Sequence, residues 1–128
     1  MSLQFRVEHR TDHVRFDVAG DRADPDYAKD LGILWAQVAE ACRTSGLRSV
    51  LGVNSLTGPV DTLKAFEIAR ALPAMFQGTG VNAAVVIRGT EEAVRDNRFA
   101  EDVAANRGLR IRLFDDEAAA LAWLRSSS

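Results

Sequence analysis

The sequence predicts a single α/β domain in which helices cover a mixed β-sheet, with the element order β-β-α-β-α-β-α-β-α. Three observations support this fold class. The chain opens with two strand-like runs whose apolar and polar residues alternate. Two later runs are apolar without alternation, which is typical of strands buried on both faces of a parallel sheet. Segments with apolar residues at helical spacing separate the later strands.

The opening hairpin is predicted from alternation on both sides of a short turn. Residues 3–10 place apolar side chains at every second position, and residues 14–18 do the same after Thr11 and Asp12. Such a pair forms an antiparallel hairpin with one buried and one solvated face.

The first helix is predicted over residues 25–45, after a polar loop over residues 20–26. Asp24 is expected to cap it, with Pro25 at the first helical position, where a missing N–H has no cost. Gly46 is expected to end it.

The middle of the chain predicts a buried strand over residues 50–53 and a loop over residues 54–59. A second helix is expected from about Val60, with Pro73 ending or kinking it. Residues 74–77 are expected to add one further turn.

The last part of the chain predicts a central strand over residues 83–87 and a third helix that Thr90 caps and Gly108 ends. The alternative is two short helices separated at Asp96 and Asn97. The strand over residues 109–113 alternates with arginines, which indicates a position at or near the sheet edge. Asp115 is expected to cap a final helix.

Size and composition predict one ordinary soluble domain over residues 1–125, with residues 126–128 as a disordered tail. The chain has 128 residues, of which 47% are hydrophobic and 27% charged. In the last helix, Trp123 is expected to pack against the sheet, at a cost of about 3–5 kcal/mol on replacement by alanine. The two outer strands are candidate edges for pairing, so we expect a homodimer.

Charge and hydropathy exclude several classes of protein. A net charge of −2 argues against a general nucleic-acid binder. No run approaches the roughly 18 consecutive apolar residues of a membrane span. The first residues lack the apolar core of a secretory signal, and the one cysteine cannot form a disulfide within the chain. These observations predict a cytoplasmic protein.

The sequence predicts neither a metal site nor a catalytic centre. His9 is expected to continue the buried face of the first strand, while His13 points to the other side, so the two do not converge on one ion. Cys42 falls on the apolar face of the first helix, which favours a core position over a reactive thiol. Nucleophile, metalloprotease and phosphate-loop motifs are missing from the sequence, so we expect no enzyme and no cofactor.

Polar residues follow two central strands where each enters a helix. In open α/β sheets ligands bind outside the carboxyl ends of the strands, and helix starts there offer free N–H groups to an anion. These residues therefore form a candidate anion or partner site, the alternative being that each one only forms a turn or a cap. The candidates are Ser55, Thr57, Asp61, Thr62, Arg88 and Thr90.

Two segments resemble the bacterial STAS group, and most of all its stand-alone SpoIIAA-like (STAS/SEC14-like) members. One is the run over residues 107–116 and the helix after it, which is similar to the closing strand and helix of that group. The other is Val60-Asp61-Thr62, at the place where STAS domains carry a hydrophobic residue, an aspartate and a phosphorylatable serine or threonine. The family usually continues with a small residue and glycine, whereas Leu63 and Lys64 stand here.

The resemblance implies a STAS-type fold and a non-enzymatic regulatory module. Such a module binds a protein partner at the helix start around Asp61 and Thr62, and phosphorylation there blocks binding by adding negative charge. The comparison of stand-alone members with SEC14 domains implies an alternative, a carrier of a small apolar ligand. A roomy apolar pocket favours the carrier, and a flat surface around Thr62 favours the module.

Overall fold

The computed structural model describes residues 3–59, 61–88 and 110–126, which form a five-stranded sheet and three helices. The strands are β1 (Gln4–His9), β2 (Val14–Asp21), β3 (Ser49–Thr57), β4 (Asn82–Ile87) and β5 (Arg110–Phe114). They lie side by side in chain order. β1 is antiparallel to β2, and the other neighbours are parallel. The predicted mixed sheet, a hairpin joined to a parallel body, is confirmed.

β2 and β3 extend farther than the sequence predicted. The expected loops began at Gly20 and Asn54, yet β2 continues to Asp21 and β3 to Thr57. Asp21 lies opposite Thr57, beyond the point where Asn54 meets Ile87 at the end of β4. Because ladder hydrogen bonds join backbone groups, polar and turn-forming residues can continue a strand when a neighbouring strand is in register.

α1 (Tyr27–Ser45) begins two residues later than predicted. The Asp24 carboxylate accepts a hydrogen bond from the Asp26 backbone N–H at 2.9 Å, so it closes a turn before the helix instead of capping it. The C-terminal end of α1 is where the sequence predicted it. Gly46 has a left-handed φ of 77° and donates its N–H to the Cys42 carbonyl at 2.9 Å. Glycine adopts this conformation without a steric cost.

α2 (Thr62–Met75) is capped by Asp61, as expected. The Asp61 carboxylate accepts a hydrogen bond from the Lys64 backbone N–H at 3.2 Å. Pro73 lies inside the helix and does not end it. The helix continues for only two residues beyond Pro73, so the proline lies in its last turn. Its missing N–H removes only the hydrogen bond to the carbonyl of Ala69, and few helical hydrogen bonds follow it.

α3 (Glu117–Ser126) is capped by Asp116, one residue later than the predicted Asp115. The Asp116 carboxylate accepts hydrogen bonds from two backbone N–H groups of the first turn, at 3.2 and 3.3 Å. Ser126, assigned by sequence to the tail, belongs to the last turn of this helix. The helix predicted between Thr90 and Gly108 lies outside the described residues.

The sheet separates two apolar layers. α1 and α2 cover one face, with the ring of Phe16 at the centre of the layer. This ring lies directly on Gly52, where an added Cβ would approach the ring to 2.1 Å. α3 covers the other face with a smaller layer. The buried residues of that smaller layer are Leu51, Val53, Ala84, Val86, Ala120 and Leu124.

β1 and β5 are the two edges of the sheet, as the sequence predicted. Both carry charged side chains: on β1, Glu8 pairs with Arg6 at 2.7 Å and with Arg10 at 2.9 Å. The homodimer expected from these edges stays a prediction. Within the described ranges, no helix has the length and apolar character needed to cross a bilayer.

Candidate functional site

The carboxyl ends of the neighbouring strands β2 and β3 lie side by side at one end of the sheet. Two predicted site residues lie there. Ser55 and Thr57 belong to the last part of β3, which, within the described ranges, pairs only with β2. The Thr57 hydroxyl donates a hydrogen bond to the Gly20 carbonyl at 3.1 Å. Thr57 therefore stabilises the extended ends of the two strands, and both residues lie in a strand where the sequence predicted a loop.

Asp61 and Thr62 lie at the start of α2, close to the same edge. The carboxylate of Asp61 is occupied by the helix cap described above. Thr62 is the first helical residue, and its side chain lies outside the described part of the structure. Thr90 lies outside it as well.

Arg88 is directed toward α3. Its guanidinium contacts Glu117 Oε2 at 3.3 Å, and Glu117 also pairs with Arg15 of β2. The Arg15 side chain is held in turn by Asp17, with the Nε to Oδ2 distance at 3.0 Å. Two cations thus share one carboxylate at the start of α3, where negative charge is also favoured by the helix dipole. The structure joins Arg88 to this ion-pair network, whereas Asp61 is held in the cap of α2.

A cavity lies between α1, α2 and the sheet, along the inner face of α2 from Ala65 to Leu72. It encloses about 90 Å³ and is walled mainly by apolar and aromatic side chains. β2 to β5 form its floor, α1 and α2 its sides. The main lining residues are Phe16, Leu31, Trp35, Ile68, Ala69 and Leu72. Three polar residues also reach it, Arg22, Tyr27 and Asn54.

Arg22 is the most unusual of these polar residues, because its side chain is buried with only 8% of its surface exposed. Its Nη1 donates hydrogen bonds to the carbonyls of Leu56 at 3.1 Å and Gly58 at 2.8 Å. Its backbone N–H donates to the carbonyl of Thr57 at 2.9 Å. The guanidinium therefore ties the segment after β2 to the end of β3. Its Nη2 is buried and has no hydrogen-bond acceptor among the described residues.

Electrostatic effects link Arg22 to the start of α2 through Tyr27. Burial raises the pKa of Tyr27, the carboxylate of Asp61 raises it further, and the charge of Arg22 opposes the rise. The phenol is therefore neutral at physiological pH and can donate a hydrogen bond. Burial lowers the pKa of Arg22, although a guanidinium stays charged at neutral pH. The ammonium of Lys64 lies 5.3 Å from the centre of the Tyr27 ring.

Sequence reasoning did not single out Arg22 as a functional residue. It stood in a segment predicted to be a polar loop, where an arginine is ordinarily exposed. Its burial depends on the extension of β3 to Thr57, because the carbonyls of Leu56 and Gly58 that it binds come from that extension and the turn after it. The signal is thus a tertiary one, and local sequence patterns do not carry it.

The histidines and the cysteine are placed as follows. His9 is exposed at the end of β1, so the prediction that it continues the buried face is wrong; the end of an edge strand is open to solvent. His13 is buried, with Nδ1 at 2.7 Å from a carboxylate oxygen of Asp12. Cys42 is buried in the core, and this burial raises the pKa of its thiol to about 11. Among the described residues, no group of three or more His, Cys, Asp or Glu side chains is placed to hold a metal ion.

No protein-family model matches the chain, and no curated protein matches it. The geometry of the cavity and of the start of α2 therefore carries the functional argument.

Proposed function

We propose that this protein is a non-catalytic binding module that holds a small, largely apolar ligand in the cavity between α1, α2 and the sheet. The observation that carries the proposal is the cavity itself, with its apolar walls and a buried arginine at the polar end. Protein interiors are close-packed, and unfilled space in them is small and rare. Small-molecule sites are mostly apolar pockets with a few polar groups, and at about 300–1,000 Å³ they are larger than this cavity, which therefore takes up only part of a ligand.

The size of the cavity limits the ligand. An apolar cavity of roughly 150 Å³ accommodates one benzene ring. The cavity here encloses about 90 Å³, so the part of a ligand that it takes up is smaller than a benzene ring. A short aliphatic tail fits this limit. The resemblance to stand-alone STAS/SEC14-like proteins supports the same class of function.

The indole N–H resonances of the two tryptophans provide a direct test. Trp35 lines the cavity, whereas Trp123 packs on the opposite face of the sheet. Titration of the ¹⁵N-labelled protein with pentanamide should shift the Trp35 indole signal in a saturable way and leave that of Trp123 unchanged. The absence of any saturable shift at Trp35 with small amphiphiles would refute ligand binding in the cavity.

A pair of alanine substitutions on α2 sharpens this test. Ala69 is buried and lines the cavity, so Ala69→Leu should fill the space and abolish the Trp35 shift. Ala74 is exposed on the same helix, and Ala74→Leu should bind as the wild type does. Binding that survives Ala69→Leu would place the ligand elsewhere.

A second candidate function is partner recognition at the start of α2, which the STAS resemblance implies. The observation that favours it is Leu63, which is 67% exposed directly after Asp61 and Thr62. An exposed leucine beside a phosphorylatable residue fits a surface on which a partner docks and from which a phosphate displaces it.

The test of this second candidate uses four variants. Thr62→Asp should abolish recovery of a protein partner that the wild type and Thr62→Ala both retain. Leu63→Ser should weaken recovery, whereas Ile33→Ser, at the 43% exposed Ile33 on α1, should not. Identical partners for the wild type and Thr62→Asp would exclude a phosphorylation switch at this site.

A further inference from the structure

We propose that the ligand of the cavity is a small carboxylate whose charged group binds the buried guanidinium of Arg22 and whose aliphatic tail lies among the apolar walls. This inference rests on the ligand-binding function proposed above and adds the chemical class of the ligand. It concerns Arg22 and the cavity, and is independent of partner docking at Leu63.

The hydrogen bonding of the Arg22 side chain is incomplete in the described part of the structure. Its side chain is more than nine-tenths buried, and one nitrogen, Nη1, is bound by two carbonyls. The other, Nη2, is equally buried and has no acceptor among the described residues. Buried donors are almost always satisfied in proteins, and Arg22 is one of the residues that line the cavity, so the unpaired Nη2 favours an acceptor that binds beside this side chain.

The positive charge of the Arg22 guanidinium also favours an anionic ligand. The acceptors that Arg22 does use are neutral carbonyls, and in the described part of the chain no carboxylate forms an ion pair with it. The carboxylate of Asp21 attracts Arg22 only from a longer distance, and a buried cation without a directly paired counter-charge is unfavourable. An anion bound at Nη2 supplies that charge. The planar guanidinium matches carboxylate and phosphate groups alike, and in a cavity of about 90 Å³ the smaller carboxylate leaves room for an apolar tail.

Two other polar residues line the same cavity as Arg22. They are Tyr27 and Asn54, which carry a hydroxyl and an amide, so polar groups other than Arg22 are present in its lining. The rest of the lining is mainly apolar, which suits a hydrocarbon tail. By the benzene comparison, the cavity takes a tail of about four carbons.

The test compares pentanoate with pentanamide. These two probes have the same aliphatic tail and planar head groups of nearly equal shape, and they differ in charge. Each is titrated into the ¹⁵N-labelled protein, and affinity is read from the Trp35 indole signal with Trp123 as the internal reference. We expect pentanoate to bind about tenfold more tightly or better, because charge-assisted hydrogen bonds are roughly twice as strong as neutral ones. The net charge of −2 acts against pentanoate, so general attraction of anions does not produce this preference.

Two arginine variants complete the experiment. Arg22→Gln removes the charge and keeps one amide donor for the Leu56 carbonyl, and should reduce the preference for pentanoate to less than about twofold. Arg70→Gln makes the same change at an exposed position on α2 and should leave the preference intact. If Arg22→Gln does not fold, the comparison of the two probes on the wild type still decides.

The outcomes separate this inference from the function on which it rests. Equal affinity of the wild type for the two probes overturns the carboxylate inference and leaves a neutral apolar ligand; Nη2 is then satisfied by water. A preference for pentanoate that persists in Arg22→Gln also overturns it. Failure of both probes to shift Trp35 overturns ligand binding itself.

Discussion

The face of the sheet under α1 and α2 is built around large aromatic side chains, whereas the face under α3 is built around small aliphatic ones. On the first face the rings of Phe16 and Trp35 meet edge to face with centroids 4.9 Å apart, and Trp35 meets Phe76 in the same way at 5.9 Å. On the second face the buried layer consists of leucine, valine and alanine, with Phe114 and Trp123 half-buried at its margin.

The difference shows how one sheet can combine stability with a binding site. Rigid aromatic rings pack in a few preferred orientations and do not adapt to irregular space, so a cavity can persist beside them. The cavity and the buried Arg22 both lie on this aromatic face. On the α3 face, Ala84 and Ala120 are fully buried, which lets the helix approach the sheet closely. Substitutions on the two faces test whether their side chains contribute differently to the free energy of unfolding.

The largest effect is expected for Phe16→Ala. Phe16 is 2% exposed and contacts Trp35 and Gly52, so its removal leaves a large void next to the existing cavity. We expect a loss of about 3–5 kcal/mol in the free energy of unfolding, measured by urea denaturation. Phe114→Ala, at a half-buried position on the other face, should cost less. Equal losses for the two variants would contradict the comparison.

Cys42 predicts a dependence of stability on pH that originates on the aromatic face. Burial raises the pKa of its thiol to about 11, above its ordinary value of 9.0. The unfolded chain therefore releases this proton at a lower pH than the folded one, and the stability contributed by the neutral thiol is lost as the pH rises from 9 to 11. The loss should reach about 2–3 kcal/mol, since each pKa unit corresponds to about 1.4 kcal/mol.

The control for this effect is Cys42→Ala, which removes the thiol. The difference in unfolding free energy between wild type and variant should be constant below pH 9 and shrink above it. Tyr27, whose pKa is also raised, titrates in both proteins and so cancels in the difference. A difference that stays constant up to pH 11 would show that Cys42 is not held neutral by burial.

Gly52→Ala tests the close contact between β3 and Phe16. The added Cβ would lie 2.1 Å from the Phe16 ring, which is confined on all sides by the core. We expect a loss of about 1–3 kcal/mol from this overpacking. The matched control is Gly32→Ala on α1, where a Cβ meets nothing within 4 Å. That change should stabilise the protein by about 0.5–1 kcal/mol, because alanine favours a helix over glycine.

The sequence predicted those strands in which the pattern of apolar and polar side chains shows which faces are buried. Alternation identified β1 and β2, and uninterrupted apolar runs identified the centres of β3 and β4. It did not predict the polar ends of β2 and β3, because residues such as Asp21 and Thr57 stay in the sheet through pairing with each other. That pairing joins distant parts of the chain, and a local pattern does not contain it.

The helix starts and the site show the same limit at finer scale. Asp115 and Asp116 are chemically equivalent candidates for the cap of α3, and the backbone conformation decides between them. At α1 the predicted Asp24 does not cap the helix, and the residue at the cap position, Asp26, makes no side-chain capping hydrogen bond. The candidate site residues were selected where strands lead into helices, and Asp61 does lie at such a helix start. The burial of Arg22 was not predictable, because its acceptors come from the end of β3.

Trp35→Ala and Trp123→Ala make the same substitution on the two faces and provide the finest test of the comparison. The sequence predicted that Trp123 packs against the sheet, and its ring does contact the apolar layer there. The ring is only half-buried, however, with Phe114 at 5.8 Å and Arg110 stacked at 5.2 Å. We therefore expect Trp123→Ala to cost about 1–2 kcal/mol in place of the earlier 3–5 kcal/mol.

Trp35 is 6% exposed and sits between two other rings, so Trp35→Ala should cost about 3–5 kcal/mol. The gap between the two variants, read from denaturation midpoints at constant slope, measures how much more the aromatic face contributes. A high-salt repeat isolates the Arg110 contact, since screening weakens a cation on an exposed ring but leaves packing unchanged. If Trp123→Ala is as costly as Trp35→Ala, α3 is as tightly anchored as α1, and the half-buried position of Trp123 does not reflect its contribution to the fold.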